Sequence, residues 1–536
     1  MRMTRSSLPL NSHTRRHVAT AVAGIAAAAV GMTTSCSADS PPPGKPAAKA
    51  SVSASTVTNA SAIAWGACPA LAQGATRDPR EQCGTVKVPL DYQHPDGKSI
   101  SVAVSRIATA KPGTRRGALL LNPGGPALEG LDMPGQMAPT LPASVLDRYD
   151  LVGFDPRGVG HSAPISCHLT DPNLSDLFPY PAADGSITAN VTQARTTAAQ
   201  CASAVGEDLR FFTTANTARD LDRVRQALGE KKISYWGQSY GTYLGAVYRG
   251  LFPASTDRMV LEGNVDPTKV WARQSATWNK GMADRFPDAA RLAAAQNDSL
   301  GLGKDVAKVT KAYLALAGRL DRTPAPVPGT KMSLNGLTFR QVTYGLLLHN
   351  ETLPTLTQFW KAATDLAAGK LSGQDAAVLG QVAAGSPPEP GVPADNQATM
   401  FLALTCGDVA WSHDVAKYAA ATAADRKAWP LTAGMPANIW PCAFWHAPTE
   451  APVKVTSRGA RDVLILQNRR DNATPWETGR GLRRTLGSRA GFVGVDNGGH
   501  YVYHAGSTCA DAATVAFLTD GKLPAKDLHC TAKPQS

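Results

Sequence analysis

The segment Ile233–Gly245, ISYWGQSYGTYLG, constrains this chain more than any other. A short apolar run with strand character leads into Gly237-Gln238-Ser239-Tyr240-Gly241, and helix-forming residues follow. G-x-S-x-G between a buried strand and a helix is a nucleophile elbow, a turn tight enough to need glycine on both sides of the serine. It projects the serine hydroxyl from the edge of a sheet, and the helix N-terminus behind it favours developing negative charge. Ser239 is therefore the candidate nucleophile.

A serine hydroxyl needs a base and an acid that orients the base. On a sheet of this kind they follow the serine in the order Asp or Glu, then His. VLILQNRRDNATP places Asp471 in the loop after a buried strand, and VGVDNGGHYVYH places His500 after the next one. Both fall at the C-terminal edge of a parallel sheet, where ligands bind. Asp496 is too close to His500 along the chain to replace Asp471, though it can serve as a second orienting group. His504 is read as a packed residue and His161 as a supporting one.

The rest of the chain supplies the sheet. GTVKVPLDY (Gly84–Tyr92) and SISVAVSRIAT (Ser99–Thr109) alternate as a hairpin around the turn HPDGK. GALLLN, YDLVGFD, KISYWG and DRMVLEG are continuous apolar runs, as expected of strands covered on both faces. Strands alternating with helices give an α/β domain with a mainly parallel sheet. From Asp266 the pattern turns helical, and strands return only at DVLILQ and AGFVGVD. One α/β core interrupted by a helical insertion is the economical organisation: 61–265 for its first part, 266–454 for the insertion and 455–536 for its last part.

Arginines followed by the apolar run Val18–Met32 make residues 1–36 an export signal. Arg15 and Arg16 fit a twin-arginine signal or ordinary leader charges. Residues 37–60, rich in Pro, Ala, Ser and Lys, read as a disordered linker. The formal net charge is +12, but no basic run is interleaved with aromatics, which argues against a nucleic-acid partner. Of nine cysteines, eight form an even set in an exported chain and suggest disulfides. Eight allow about 105 pairings. The expectation is that neighbours pair: Cys68–Cys83, Cys167–Cys201, Cys406–Cys442 and Cys509–Cys530. Cys36, after Thr-Thr-Ser, is a candidate lipidation site and the only route to a membrane; the alternative is cleavage just after it. No CxxC or HExxH spacing calls for a metal.

With these pieces in place, the chain resembles the serine α/β-hydrolases of the proline-iminopeptidase and tripeptidyl-aminopeptidase family. The matching stretches are NPGGP, FDPRGVGHS, WGQSYGTYLG, VLEGNVDP, RRDNATP, GGHYVY and CADAATVAFLTDGKLP, which span about Cys68 to Cys530. The resemblance implies an α/β-hydrolase fold with a helical cap over the site and a triad of Ser239, Asp471 and His500. It implies an exported exopeptidase taking short peptides, tripeptides among them, from free N-termini, with no cofactor.

Two further expectations follow. The transient oxyanion needs backbone donors, one from Tyr240 and one from the glycine loop LLLNPGGPALEG, taken as Gly125. That loop lacks the Gly-Lys-Ser/Thr ending and the G-x-G-x-x-G spacing of phosphate cradles. An aminopeptidase must also hold an ammonium group, and Glu262, Asp408 and Glu129 are the candidate anchors. Glu129 arises where the family usually continues Gly-Gly-Pro-Gly with small residues. A carboxylesterase or lipase would use the same triad without these anchors.

Overall fold

The computed structural model describes residues 62–72, 75–170, 176–384 and 389–533; the export signal, the linker and Cys36 lie outside the described residues. The continuous apolar runs become the interior strands of one nine-stranded sheet. In chain order its strands are β1 (Gln82–Pro89), β2 (Ser99–Ile107), β3 (Gly117–Asn122), β4 (Tyr149–Phe154), β5 (Ile233–Gln238), β6 (Thr256–Glu262), β7 (Val463–Arg470), β8 (Ala490–Gly498) and β9 (Leu528–Thr531). Their spatial order is β1-β2-β4-β3-β5-β6-β7-β8-β9. Only the β1–β2 and β2–β4 pairs are antiparallel. β3, buried at all six positions, divides its side chains by the two-residue period: Ala118 and Leu120 join one core cluster, Leu119 and Leu121 the other.

Helices cover both faces. Those that bear on the site are α1 (Thr188–Val205), α2 (Thr214–Ala227) and α3 (Tyr240–Leu251) before the insertion, and α11 (Trp476–Leu486) and α12 (Thr508–Asp520) after it. Between β6 and β7 run α4 (Trp278–Ala295), α5 (Val306–Arg322), α6 (Gly336–Leu346), α7 (Leu353–Ala368), α8 (Gly373–Ala384), α9 (Asn396–Gly407) and α10 (Val415–Ala428). α5 shows why this stretch is helical. Asp305 caps it by accepting from Lys308 N, and Val309, Tyr313, Leu316, Ala317 and Leu320 form one buried stripe.

The insertion does not pack as one unit. Residues from Met282 to Val382 have their own core cluster. α9 instead sends Met400, Leu402 and Leu404 into the cluster under the sheet, together with Trp411 and Trp440. The cysteines pair as neighbours: Cys68–Cys83, Cys167–Cys201, Cys406–Cys442 and Cys509–Cys530, with separations of 15, 34, 36 and 21 residues. Loops of this length each remove about 3–4 kcal/mol of chain entropy from the unfolded state.

Near β1, Glu81 is 8% exposed and accepts from Arg77 Nη1 at 3.1 Å, while its Oε1 is buried without a hydrogen-bond partner among the described residues. Burial pushes its carboxyl up to about 7. Between about 4.5 and 7 the folded protein keeps a proton that the unfolded chain has released, so Glu81 subtracts stability as pH rises through that window. Glu81→Gln is expected to raise Tm more at pH 8 than at pH 5. Calorimetry showing equal shifts at the two pH values would contradict this.

Candidate active site

Ser239 sits between β5 and α3 with φ 54° and ψ −124°, a conformation few non-glycine residues adopt. Its flanking glycines are required sterically. A Cβ on Gly237 would lie 2.3 Å from Gly241 O, and one on Gly241 would lie 2.6 Å from Asn122 Oδ1. The turn is held by Ser239 N donating to Glu262 O at 3.0 Å, and by Thr242 N and Oγ1 donating to Ser239 O at 2.9 and 2.6 Å.

Asp471 follows β7 and His500 follows β8, both buried. His500 Nδ1 lies 2.9 Å from Asp471 Oδ2 and 3.1 Å from Oδ1. Asp471 is itself fixed: Oδ1 accepts from Ala473 N (2.8 Å) and Thr474 N (2.9 Å), and Oδ2 from Thr474 Oγ1 (2.8 Å). A carboxylate on Nδ1 holds the proton there and leaves Nε2 free as an acceptor. The His500 backbone N–H donates to Leu348 O at 2.7 Å, just beyond α6. A Cβ on Gly263 would come within 2.9 Å of the imidazole Cε1, so the residue after β6 must be glycine for the ring to sit there. Among the described residues Ser239 Oγ has no hydrogen bond to His500; such contacts in free enzymes often tighten only when substrate binds.

The glycine loop lies against the elbow. A Cβ on Gly124 would meet Gln238 O at 2.3 Å, Ser239 Cβ at 2.8 Å and Tyr240 N at 3.1 Å. Gly124 therefore makes the closest approach, with Gly125 next along the loop. Among the described residues Gly125 N has no protein acceptor. Tyr240 is the first residue of α3, so its N–H precedes the helix's own ladder. Tyr240 N thus lies next to Ser239 in the chain, and the glycine loop meets the elbow at Gly124.

The three candidate ammonium anchors have different surroundings. Glu262 is a correction: it is 1% exposed, and its carboxylate accepts from Trp236 Nε1, Gln238 Nε2, Val502 N and Tyr503 N. Four donors saturate it, leaving nothing for a ligand. Asp408 is engaged in holding the fold together. It accepts from Thr214 N (2.7 Å), Thr214 Oγ1 (2.6 Å) and Trp271 Nε1 (3.0 Å), tying α9 to the start of α2. Burial pushes it up to about 6. Glu129 is different. Open to solvent, it has no hydrogen-bond partner among the described residues, and its Cγ would be 2.8 Å from a Cβ on Gly160. Protein atoms packed around its carboxyl desolvate it, and with the Asp155 and Glu389 carboxylates they push it up to about 7 although part of the residue reaches solvent. Beside it, His161 is raised by Asp155, Glu129 and Glu389. Asp496 is exposed and paired with Arg470, away from this group.

Above the site, a Cβ on Gly281 of α4 would touch Asn472 O at 2.5 Å, and Asn472 Nδ2 donates to Tyr344 O of α6 at 3.0 Å. Phe178, Trp278 and Tyr344 pack there as half-buried rings, with centroids 5.8–6.3 Å apart. Thr474, Gly263 and Leu348 were not singled out from sequence. Only Thr474 carries a local signal, three residues after Asp471 in DNAT.

A mostly parallel sheet with this strand order, carrying a serine elbow after its fifth strand, Asp471 after its seventh and His500 after its eighth, is an α/β-hydrolase. The model of the TAP-like protein family matches residues 431–530, which include Asp471 and His500. Tripeptidyl aminopeptidase of Streptomyces lividans is 35% identical over 468 residues, 84% of this chain and 83% of that protein. Carboxylesterase B of Mycobacterium tuberculosis is 33% identical over 87% of this chain and 89% of its own. Serine protease Hip1 of the same organism is 30% identical over 84% and 87%. The chain belongs to the tripeptidyl-aminopeptidase-like family of serine α/β-hydrolases, and it is a serine hydrolase.

Proposed function

We propose that this chain is an exported aminopeptidase that releases tripeptides from free N-termini. The observation that carries the proposal is the buried Asp471–His500 pair, 2.9 Å apart, at the same sheet edge as the strained Ser239. In this reading His500 Nε2 takes the Ser239 proton as Oγ attacks the scissile carbonyl. Asp471 holds the Nδ1 tautomer and stabilises the imidazolium. Backbone N–H groups of Tyr240 and Gly125 receive the oxyanion. His500 then protonates the leaving amine, and water, deprotonated by His500, releases the acyl group. Export is supported by the four cysteine pairs; among the described residues no helix is long and apolar enough to cross a membrane. A lipid on Cys36 remains part of the same proposal.

Glu129 is the proposed ammonium anchor. It stands four residues beyond Gly125, a reach of at most about 14 Å. An extended tripeptide spans about 10 Å. A charge-assisted hydrogen bond contributes about 1.5–3 kcal/mol, so Glu129→Gln is expected to raise KM for a free-amine tripeptidyl amide about 10- to 100-fold. KM for an acyl ester should stay unchanged. Glu129 gains its charge above about 7, and a peptide ammonium loses its own near 8. KM for the free-amine substrate should therefore be lowest between about pH 7 and 8. Equal effects on both substrates, or no minimum, would count against the anchor.

A second reading, a carboxylesterase, is favoured by the similarity to carboxylesterase B. Turnover of a free tripeptidyl amide, its acetylated form and a simple acyl ester separates the two. Strong preference for the free amide supports the aminopeptidase, and preference for the ester overturns it.

A further inference from the structure

We infer that Glu262 is a positioning residue that ties the Ser239 elbow to the His500 loop and so sets the spacing between nucleophile and base. This rests on the reading of Ser239 and His500 as the reacting pair. Glu262 touches both halves. Its backbone oxygen accepts from Ser239 N at 3.0 Å. Its Oε1 accepts from Gln238 Nε2 at 2.5 Å and Trp236 Nε1 at 3.1 Å, on the strand that ends at the serine. Its Oε2 accepts from Val502 N at 3.2 Å and Tyr503 N at 3.0 Å, in the loop that carries His500. The next residue, Gly263, abuts the imidazole. Links across 24 and 240 residues of sequence therefore converge on one side chain.

The chemistry requires a carboxylate. All four side-chain partners are N–H donors, and no Lys, Arg or His forms a salt bridge with Glu262 among the described residues. Four donors fill the acceptor sites of its two oxygens without a counter-ion. An amide of the same size offers one acceptor oxygen, and its NH2 must face the donors on one side. The tie then loosens at the elbow or at the loop, and a shift of about 1 Å in such a pair costs on the order of 100-fold in rate.

The test compares the unmodified protein with Glu262→Gln, using hydrolysis of an acyl ester and of a free-amine tripeptidyl amide, and the rate at which a fluorophosphonate labels the serine. A 10- to 100-fold fall in kcat on both substrates is expected, with a matching fall in labelling rate and KM within twofold. Unchanged kcat and labelling overturn the inference, as does a rise in KM confined to the free-amine substrate. If Glu262→Gln fails to fold, Gln238→Leu, which removes one tie and leaves three, should show a smaller kcat loss with the same unchanged KM; no loss overturns the inference. Labelling that survives in Ser239→Ala counts against the serine reading itself. Labelling lost in Ser239→Ala but undiminished in Glu262→Gln counts against the tie alone.

Discussion

Ser239→Ala is expected to lower kcat by about 10⁵- to 10⁶-fold, while the melting temperature changes by no more than a few degrees. The size of the loss reflects the unit character of a serine–histidine pair: once the nucleophile is gone, only binding and the oxyanion donors still act on the transition state. The small effect on stability follows from the local structure. The elbow is held by main-chain bonds, Ser239 N to Glu262 O and Thr242 N to Ser239 O, which alanine keeps. The strained φ of 54° is borne equally by both residues. Steady-state turnover of an acyl ester beside calorimetry checks this. Activity within about 100-fold of the unmodified enzyme would reject Ser239 as the nucleophile.

The largest expected stability effect lies at Arg157, in the loop after β4. Its guanidinium is fully buried and donates to both oxygens of Asp220, at 2.7 and 2.6 Å. It also donates to Leu90 O (2.9 Å), Phe211 O (3.0 Å) and Pro89 O (3.1 Å). Tyr92 OH donates to Asp220 at 2.8 Å. Arg157→Met removes the cation and leaves the buried Asp220 carboxyl without its counter-ion, along with three carbonyls without their donor. The expected cost is about 3–5 kcal/mol. Adding Asp220→Leu should recover a large part of it, because a buried pair replaced by apolar groups loses its desolvation cost together with its attraction. Urea unfolding of both variants decides the matter; a single-variant loss below about 1 kcal/mol would contradict it. Activity should fall with stability, since the same loop carries Asp155, which accepts from Gly130 N and Leu131 N and so anchors the glycine loop.

The residues proposed to react were legible because their signals are local. The elbow glycines, the strand before Ser239 and the loops after two late strands can all be read within about a dozen residues of each side chain. The disulfides were legible for the same reason, since each joins neighbours in the cysteine series. Glu262 and Asp408 were legible only as acids near a site. Their orientation depends on partners far away in the chain: residues 236, 238, 502 and 503 for one, Thr214 and Trp271 for the other. No periodicity carries that information. The allegiance of α9 was hidden differently. Its buried residues run along most of its length, so no polar face shows which side meets the sheet.

The separate core from Met282 to Val382 divides the roof into parts with different tolerance for change. α9 and the strand-proximal segment after it are foundation, locked by Cys406–Cys442 and by the clasp of Asp408 on Thr214. The helical block from α4 to α8 is closer to a fitted part. It meets the ends of β7 and β8 and the loops that follow at main-chain groups of Leu348, Tyr344 and Gly281 and at two side-chain ties, Asp288 to Arg470 and Asn350 to Asn497. Sequence drift inside that block, away from those contacts, can reshape what lies over Ser239 while Asp471 keeps its own ties to Ala473, Thr474 and His500. A lineage built on this scaffold can therefore change its diet without rebuilding its engine.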